Sequence, residues 1–469
     1  MAIFALTLVG LAHITHACTS ISTHDSDGNF VVGRTMELMG AKGALPHVLE
    51  LNGLNHTQRQ FDKSTSSIDK NPAGLIPWLI GVHPKDQKHG GCVLCEDSSI
   101  WNSKYSFVSV DIRIDLQSDD TILSGMLDEF NVTSDGSEID NVLEFSTDGM
   151  NEAGLAVSSM FFHRSTYQTP PPVKNLPDVT LTPKSSLRVP ISKNDVTANI
   201  STSSSPSLTK ICWLDLSNWI LGNFENVTEL QDMLLKSDKE TIYTIGPINP
   251  SLVFFNLHWR VDDSNGKSIV IEYVDGMLSI HNNTVGVVTN DPPFDWHLRN
   301  LGNYINLRPT SSIDPKTDTG FFQVDSDIGS VPFLPGTAAN TIGVPGDYTS
   351  AGRFVRMFFL SQFAIFNEPI NTVEDAIQLV SGLLESVFIP KGVIATKKGD
   401  PSNMFFGHEI TQYTVMKVPQ KKTFYYKDYY NNQWRKLDLS TMDLTKPAYR
   451  LLADGNLNIK DETEVFFDN

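Results

Sequence analysis

Basic residues, cysteines and long hydrophobic runs are all scarce in this chain of 469 residues. It has 36 Lys and Arg against 54 Asp and Glu, which gives a formal net charge of -18. This surplus of negative charge disfavours nucleic acid and anionic membranes as partners. No hydrophobic stretch reaches the roughly 20 residues that a transmembrane helix needs. The composition therefore indicates an acidic globular protein with no nucleic-acid partner and no membrane span.

The cysteine count limits the covalent cross-links. The chain has four cysteines, Cys18, Cys92, Cys95 and Cys212, which are too few for a disulfide scaffold. If Cys18 stays free, at most one disulfide forms among the other three. The Cys92-x-x-Cys95 spacing favours a local disulfide or buried thiols over a redox pair or half a zinc site, because no second ligand pair follows at zinc spacing.

Motifs of cofactor and metal chemistry are missing too. The sequence has no Walker loop, dinucleotide fingerprint, HExxH or Gly-x-Ser-x-Gly motif, each of which would indicate a particular ligand or nucleophile. The histidines do not follow metal-ligand spacing. We therefore expect no metal ion.

The first residues have the pattern of a secretory signal peptide. An apolar run from Ile3 to Ala12 precedes Thr15-His16-Ala17, which places small residues ahead of Cys18. We expect cleavage after Ala17, so that residues 1–17 are removed and residues 18–469 form one domain. The alternatives are an uncleaved anchor, for which the apolar run is too short, and lipidation of Cys18, although a lipobox usually has Leu in place of Thr15.

Five Asn-x-Ser/Thr sequons support the same route. They fit glycosylated surface loops and lie at Asn55, Asn131, Asn199, Asn226 and Asn282. We expect a secreted glycoprotein or a protein of the secretory-pathway lumen. The lysosome is one of the compartments that the sequence leaves open.

Strand signals dominate, and helices are interspersed, which predicts an α+β fold with antiparallel strands. Residues 18–23 and 30–34 flank a turn cluster and predict a hairpin. Further hairpins are predicted around Asp275-Gly276 and around residues 419–422, and a short strand at 285–289 runs into Asn290.

Capping patterns predict three helices. One opens at Thr228, one opens at Thr372, and one starts near Ser350 with Arg353 in its first turn. Residues 165–210 are rich in Pro, Ser and Thr, and we expect them to form a surface insertion. Residues 308–350 are expected to be similarly rich in loops.

The first hairpin predicts a reactive thiol. Cys18 and Arg34 lie eight residues to either side of Ser26, so a turn centred there places them directly opposite, with Cβ atoms about 5 Å apart. A neighbouring guanidinium favours the nucleophilic thiolate. Once residues 1–17 are removed, the α-amine of Cys18, with an ordinary pKa of about 8, can itself accept the thiol proton.

Five blocks of sequence, spread in order over most of residues 18–440, carry a family resemblance. They are Cys18-Thr19 with Gly33-Arg34-Thr35-Met36; Gly149-Met150-Asn151-Glu152-x-Gly154-Leu155; Thr289-Asn290-x-Pro292-x-Phe294-Asp295-Trp296-His297-Leu298; Pro345-Gly346-Asp347 with Arg353-Phe354-Val355-Arg356; and Glu409-x-Thr411-x-Tyr413 with Tyr425-Tyr426. In these blocks the chain resembles the choloylglycine hydrolases, the N-terminal-nucleophile (Ntn) hydrolases that include conjugated bile acid hydrolases and penicillin V acylases.

The resemblance implies a four-layer αββα sandwich that hydrolyses the C–N bond of a linear non-peptide amide through a thioester, without a cofactor. It implies Cys18 as nucleophile and base, and Arg34 and Arg353 as the two active-site guanidiniums. Asn290 would supply one oxyanion donor, and a backbone N–H near Phe161 the other. His297 and Asp295 would belong to a structural turn.

Two positions depart from the family pattern. Glu37 stands where the family has an aspartate that helps hold the nucleophile. The extra methylene of Glu37 moves the carboxylate by about 1 Å, and a positioning error of that size can cost on the order of a hundredfold in rate. Phe161 stands where similar bile acid hydrolases tend to carry Asn and penicillin V acylases Tyr. If Phe161 binds substrate, it favours an apolar or aromatic acyl group. The alternative is that Phe161 only packs in the core.

Several alternatives stay open from the sequence. The chain can be a catalytically impaired secreted homologue that binds acylated ligands, a structural or lipid-anchored surface protein, or an N-acyl amidase like acid ceramidase, which shares a Cys-Thr-Ser-Ile opening. The expected partner is a small-molecule amide, and a homo-oligomer is left open.

Overall fold

A computed structural model describes twelve stretches of the chain: 17–39, 78–92, 94–95, 98–115, 142–169, 207–236, 240–247, 256–310, 323–326, 329–332, 338–395 and 408–452. The proposed signal peptide up to residue 16, most of the predicted insertion at 165–210 and the sequons at Asn55, Asn131 and Asn199 lie outside these stretches.

Twenty-one strands lie in the described residues. In chain order they are β1 (Thr19–His24), β2 (Phe30–Met39), β3 (Leu79–His83), β4 (Lys88–Gly90), β5 (Ile100–Asn102), β6 (Phe107–Asp115), β7 (Val142–Asn151), β8 (Ala156–Phe161), β9 (Ser207–Cys212), β10 (Glu240–Ile245), β11 (Leu257–Asp262), β12 (Ser268–Val274), β13 (Met277–Asn282), β14 (Val287–Val288), β15 (Gln323–Ser326), β16 (Gly329–Pro332), β17 (Ile394–Ala395), β18 (His408–Val418), β19 (Thr423–Asp428), β20 (Arg435–Asp438) and β21 (Ala448–Leu451).

Two large sheets form the centre of the fold. The first, sheet I, has the order β14-β1-β2-β18-β19-β20, with β17 added beside β18; the second, sheet II, has the order β13-β12-β11-β8-β7-β6-β3-β21. The pairs within both sheets are antiparallel. The remaining strands form three two-stranded pairs, β4–β5, β9–β10 and β15–β16.

Five α-helices lie in the described stretches: α1 (Leu216–Asn223), α2 (Val227–Lys236), α3 (Phe294–Asn300), α4 (Ser350–Asn367) and α5 (Val373–Glu385). Helices α4 and α5 pack on sheet I, and α1 packs on sheet II. The layers therefore follow the predicted α+β, αββα arrangement. None of these helices is long and apolar enough to cross a membrane.

Two glycines let the helices approach their sheets closely. A Cβ on Gly33 would lie 2.5 Å from Val380 of α5, and one on Gly149 would lie 2.4 Å from Leu221 of α1. Both distances are below van der Waals contact, so any larger side chain would push the helix away from the sheet. This packing explains a glycine at each position in structural terms.

The hairpin predictions are confirmed, with one correction of register. The pair β12–β13 turns at Asp275 and Gly276, which both have positive φ as a tight two-residue turn requires. In the first hairpin, however, Arg34 lies opposite Ser20 and not opposite Cys18. The reason is that the Asp25 carboxylate accepts the N–H groups of Asp27 and Asn29, which moves the centre of the turn beyond Ser26.

The helix at Thr372 has the predicted capping box with Asp375, and α4 begins at Ser350 as predicted. The helix predicted to be capped by Thr228 is capped two residues earlier, because Asn226 Oδ1 accepts the N–H of Glu229 at 3.0 Å. The loop predictions were too broad: residues 207–210 belong to β9, and the 308–350 range contains β15, β16 and a 3-10 helix at Ala339–Thr341.

The cysteines form one disulfide, within the predicted maximum, but the local pair is wrong. Cys95 bonds Cys212, 117 residues away, because β9 brings Cys212 to the loop after β4. Cys92 keeps a free thiol, and burial raises its pKa to about 12. The three sulfurs lie within 4.8 Å of one another.

Candidate active site

Cys18 is fully buried directly before β1, between the two sheets. Arg34, two residues along β2 from the position opposite Cys18, donates from Nη2 to Cys18 Sγ at 3.4 Å. The sulfur of Met36 lies 3.5 Å from the same thiol and accepts from Arg34 Nη2 at 2.9 Å. The predicted contact between thiol and guanidinium is thus present, although it is diagonal across the hairpin.

Arg34 is held by a carboxylate from the other sheet. Its Nη1 donates to Asp148 of β7, whose carboxylate also accepts from the Tyr413 hydroxyl at 2.9 Å and from Lys417 Nζ at 2.8 Å. Burial alone would raise the pKa of Asp148, but Arg34 and Lys417 hold it below its usual range. Asp148 is therefore a buried anion shared between two cations.

Asn290 and Arg353 meet on the opposite side of the nucleophile. Arg353, in the first turn of α4, donates from Nη1 to the Cys18 carbonyl and to Thr19 Oγ1, each at 2.5 Å. Its Nη2 donates to Asn290 Oδ1 at 2.8 Å. The amide Nδ2 of Asn290 donates to the Phe161 carbonyl at 2.7 Å.

Two histidines support the backbone around Asn290. His297 donates from Nε2 to the Asn290 carbonyl at 2.9 Å, and burial lowers its pKa to about 4, so the ring is neutral at neutral pH. His258 lies between the Thr289 carbonyl, at 2.8 Å, and the Glu272 carboxylate, at 3.1 Å. Each ring nitrogen of His258 therefore faces an acceptor, and the ring links the Thr289 backbone to Glu272.

His297 and Asp295 have different partners and do not form a catalytic pair with each other. Asp295 instead forms an exposed ion pair with Arg299 at 3.3 Å. The interpretation of both residues as structural fits this arrangement.

Two buried acids, Glu37 and Glu409, both interact with the charge of Arg353. Glu37 accepts from the Thr411 hydroxyl at 2.8 Å, and burial raises its pKa to about 8 against the opposing charge of Arg353. Burial also raises the pKa of Glu409 to about 7, against the charge of Arg353 and a hydrogen bond from the Ala17 N–H.

A small cavity of about 20 Å³ adjoins the thiol. Apart from Cys18 and Glu37, its lining is mainly apolar and comprises Met36, Trp78, Ile112, Phe145, Thr147, Ser159, Phe161 and Leu257. This volume holds about one water-sized group. A larger group therefore enters only if the lining side chains move.

The structure brings together all six residues that the sequence singled out: Cys18, Arg34, Glu37, Phe161, Asn290 and Arg353. Sequence reasoning missed the roles of Asp148, Lys417 and Glu409. Asp148 directly precedes the Gly149 block, and Glu409 is the first residue of the last block. Their positions beside and within these blocks were the signals that could have identified them. The backbone donor expected near Phe161 stays a prediction, since it is the Phe161 carbonyl that meets Asn290.

Comparisons with known proteins identify the family of this chain. A family profile described as linear amide C-N hydrolases, choloylglycine hydrolase family, matches residues 192–461. The chain belongs to this family.

Curated relatives match over part of their length. A bile salt hydrolase/transferase of Clostridium perfringens is 32% identical over 226 residues, which cover 48% of this chain and 61% of the relative. A conjugated bile acid hydrolase of Lactobacillus acidophilus is 30% identical, over 48% of this chain and 65% of the relative. A penicillin V acylase of Pectobacterium atrosepticum is 27% identical over 33% of this chain and 32% of the relative. The chain thus spans less than two thirds of the length of each of these relatives.

Solved structures show the same fold. A variant of the conjugated bile acid hydrolase from Clostridium perfringens superposes with a TM-score of 0.57 at 23% identity, covering 94% of this chain and 99% of that one. A penicillin V acylase from Agrobacterium tumefaciens has a TM-score of 0.54 at 18% identity, over 94% of each chain. The predicted Ntn-hydrolase sandwich is confirmed at the level of the fold.

Proposed function

We propose that this protein is a cysteine N-terminal-nucleophile hydrolase that cleaves the C–N bond of a linear, non-peptide amide. The observation that carries the proposal is the convergence on Cys18 of one guanidinium at its sulfur, Arg34, and a second at its carbonyl, Arg353, which in turn orients the Asn290 amide. A buried thiol in ordinary core packing has no need of two buried cations.

The proposed reaction begins once Cys18 is the first residue of the chain. The Cys18 amine takes the thiol proton, and the sulfur attacks the acyl carbon to form a C–S bond. Asn290 Nδ2 releases the Phe161 carbonyl and donates to the oxyanion that develops. The amine then gives its proton to the leaving nitrogen as the C–N bond breaks, and water hydrolyses the thioester to the acid and the free thiol.

The acyl part of the substrate is proposed to occupy the cavity beside the thiol. Its lining of Trp78, Ile112, Phe145 and Leu257 is apolar, and Phe161 contributes to the wall. We expect an apolar or aromatic acyl group, as in penicillin V, in preference to a steroid conjugate. Bile salts and other N-acyl amides remain the comparison substrates.

Exposure of Cys18 requires removal of residues 1–17, which we propose to occur by signal-peptide cleavage in the secretory pathway. The two sequons within the described stretches are compatible with glycosylation there. Asn282 is exposed, and Asn226 is partly exposed with its carbonyl oxygen capping α2, which leaves its nitrogen for a glycan.

The test combines mass spectrometry with a substrate panel. Intact-mass analysis of the protein from a secreting eukaryotic host, after glycan removal, is expected to show a chain that starts at Cys18. That protein should hydrolyse at least one of penicillin V, a conjugated bile salt and a fatty N-acyl amide, and iodoacetamide should label Cys18 and abolish the activity. Cys18→Ala is the matched inactive control. A different N-terminus, or a labelled Cys18 without hydrolysis, would contradict the proposal and favour the binding-only homologue.

A further inference from the structure

We infer that Glu409 binds the α-ammonium group of Cys18 in the mature chain and tunes its protonation; this rests on the proposed function, because that group exists only after residues 1–17 are removed. Glu409 is then a positioning residue, which acts on the base and touches no substrate. The inference starts from a buried carboxylate that the proposed reaction leaves without a role.

The position of Glu409 follows from strand register. In the β18–β2 pair, Thr411 lies opposite Glu37 and Glu409 lies opposite Met39. Since alternate residues of a strand share a face, Glu37 and Glu409 are diagonal neighbours on one face of sheet I. Both side chains are buried, with Glu409 3% exposed and Glu37 fully buried.

Glu409 already contacts the chain beside the nucleophile. In the uncut protein it accepts the backbone N–H of Ala17, the residue directly before Cys18. Its Oε1 has no hydrogen-bond donor among the described residues. Cleavage removes the Ala17 donor and creates, at most about 4 Å away along the chain, an ammonium with several N–H donors.

Near Glu409, two buried carboxyl groups share one cation. The charged groups that face Glu409 are Glu37 and Arg353, with the Cys18 thiol and Arg356 next to Arg353. In the uncut chain Arg353 is therefore the cation shared by two buried carboxylates, and burial raises the pKa of both. An ammonium at Cys18 gives each carboxylate a cation, and unpaired buried charges are costly.

A carboxylate beside the ammonium has a definite effect on the base. It stabilises the charged form and so raises the pKa of the α-amine, whereas its removal lowers that pKa. Glu409→Gln is therefore expected to move the acid limb of the kcat/KM profile to lower pH, by about one unit. Glu409→Asp keeps the charge and is expected to move it less.

The experiment uses the mature chain, produced with Cys18 first by cleavage of a fusion with a site-specific protease. One arm records kcat/KM against pH for wild type, Glu409→Gln and Glu409→Asp. The second arm measures acetylation of the α-amine against pH by mass spectrometry, which needs no catalysis. Glu152→Gln is the matched control, because that carboxylate accepts the Ser106 N–H away from Cys18.

A shift of both curves to lower pH in Glu409→Gln, with Glu152→Gln unchanged, supports the inference. A lower rate without any shift assigns Glu409 a structural role and overturns it. If wild type shows no hydrolysis, the proposed function fails, and the acetylation curve still decides whether Glu409 contacts the amine. Should Glu409→Gln fail to fold, the smaller shift in Glu409→Asp is the deciding measurement, and an unmoved curve there overturns the inference.

Discussion

Arg353 donates from Nη2 to the side-chain oxygen of Asn290 at 2.8 Å. This bond fixes which end of the amide faces which neighbour, because guanidinium is only a donor and so must meet the oxygen. The Asn290 nitrogen is thereby directed to the Phe161 carbonyl, beside the cavity that adjoins Cys18. Arg353 thus orients the N–H donor that the proposed mechanism assigns to the oxyanion.

Replacing Asn290 by Asp should remove that donor with little change in shape. We expect kcat to fall by about 100- to 1,000-fold, the cost of one lost oxyanion donor, with a smaller change in KM. The check is steady-state kinetics on the best substrate of the panel. Asn303→Asp, on an exposed side chain that donates to Asn300, is the control. An unchanged kcat in Asn290→Asp would remove Asn290 from the mechanism.

Asp148→Asn should destabilise the fold and lower the reactivity of the Cys18 thiol. The change leaves Arg34 and Lys417 without a buried counter-charge, for which we expect a loss of about 3–5 kcal/mol in the free energy of unfolding. Alkylation of Cys18 by iodoacetamide should also slow, since Arg34 is no longer held against the sulfur. Urea unfolding and labelling kinetics measure the two effects.

Asp295→Asn is the control for that experiment, because it breaks the exposed pair with Arg299. Exposed pairs contribute at most about 1 kcal/mol. Equal stability losses in the two variants would show that Asp148 is not the buried counter-ion described above.

Glu37 predicts a pH dependence for the uncut chain. Its pKa is raised from 4.5 to about 8 on folding, so the folded state binds more protons than the unfolded state between those values. The contribution of Glu37 is thus full below about pH 4.5 and is lost as the pH rises through 8. Glu37→Gln, made in a Cys18→Ala chain that retains residues 1–17, should therefore lose less stability over this range than Cys18→Ala alone.

The measurement is urea unfolding at intervals from pH 5 to 8. The difference between the two chains isolates Glu37 from other titrating groups, and Glu152→Gln in the same background should show no such difference. Parallel curves for the Glu37→Gln chain and its parent would mean that Glu37 titrates normally in the fold.

Phe161→Ala should widen the range of acyl groups. Removing the ring enlarges a cavity that now measures about 20 Å³, so kcat/KM for bulky acyl amides should rise relative to that for small ones. The cost is about 3–5 kcal/mol of stability, as for a buried Phe elsewhere. Phe366→Ala, at a 70% exposed ring, should change neither property. An unchanged preference would leave Phe161 as core packing.

Much of the site was predictable because its residues lie in short, ordered blocks. The hairpin that places Arg34 near Cys18, the short strand β14 that ends two residues before Asn290 and the helix that starts before Arg353 each have a local signal in turn or capping residues. The details of the first hairpin were not predictable, because the register depends on side-chain bonds from Asp25 within the turn.

Long-range contacts explain what the sequence could not predict. Asp148 meets Lys417 from a strand 269 residues away, and Cys95 meets Cys212 across 117 residues. No local pattern encodes such pairs, so the shared anion and the disulfide partner needed the folded chain. Glu409 was visible within a motif, but its burial beside Ala17 was not.

The pair formed by Arg34 and Asp148 also joins the two halves of the molecule, since Arg34 belongs to sheet I and Asp148 to sheet II. A slight parting of the sheets, with every strand ladder intact, would separate Arg34 from Asp148 and so release the guanidinium from the contact that holds it beside the sulfur. The reactivity of the Cys18 thiol therefore reports whether sheet I and sheet II are in contact at this point. As the denaturant concentration rises, Cys18 should lose the part of its reactivity that depends on Arg34. The far-ultraviolet circular dichroism of the strands should still be unchanged at that concentration.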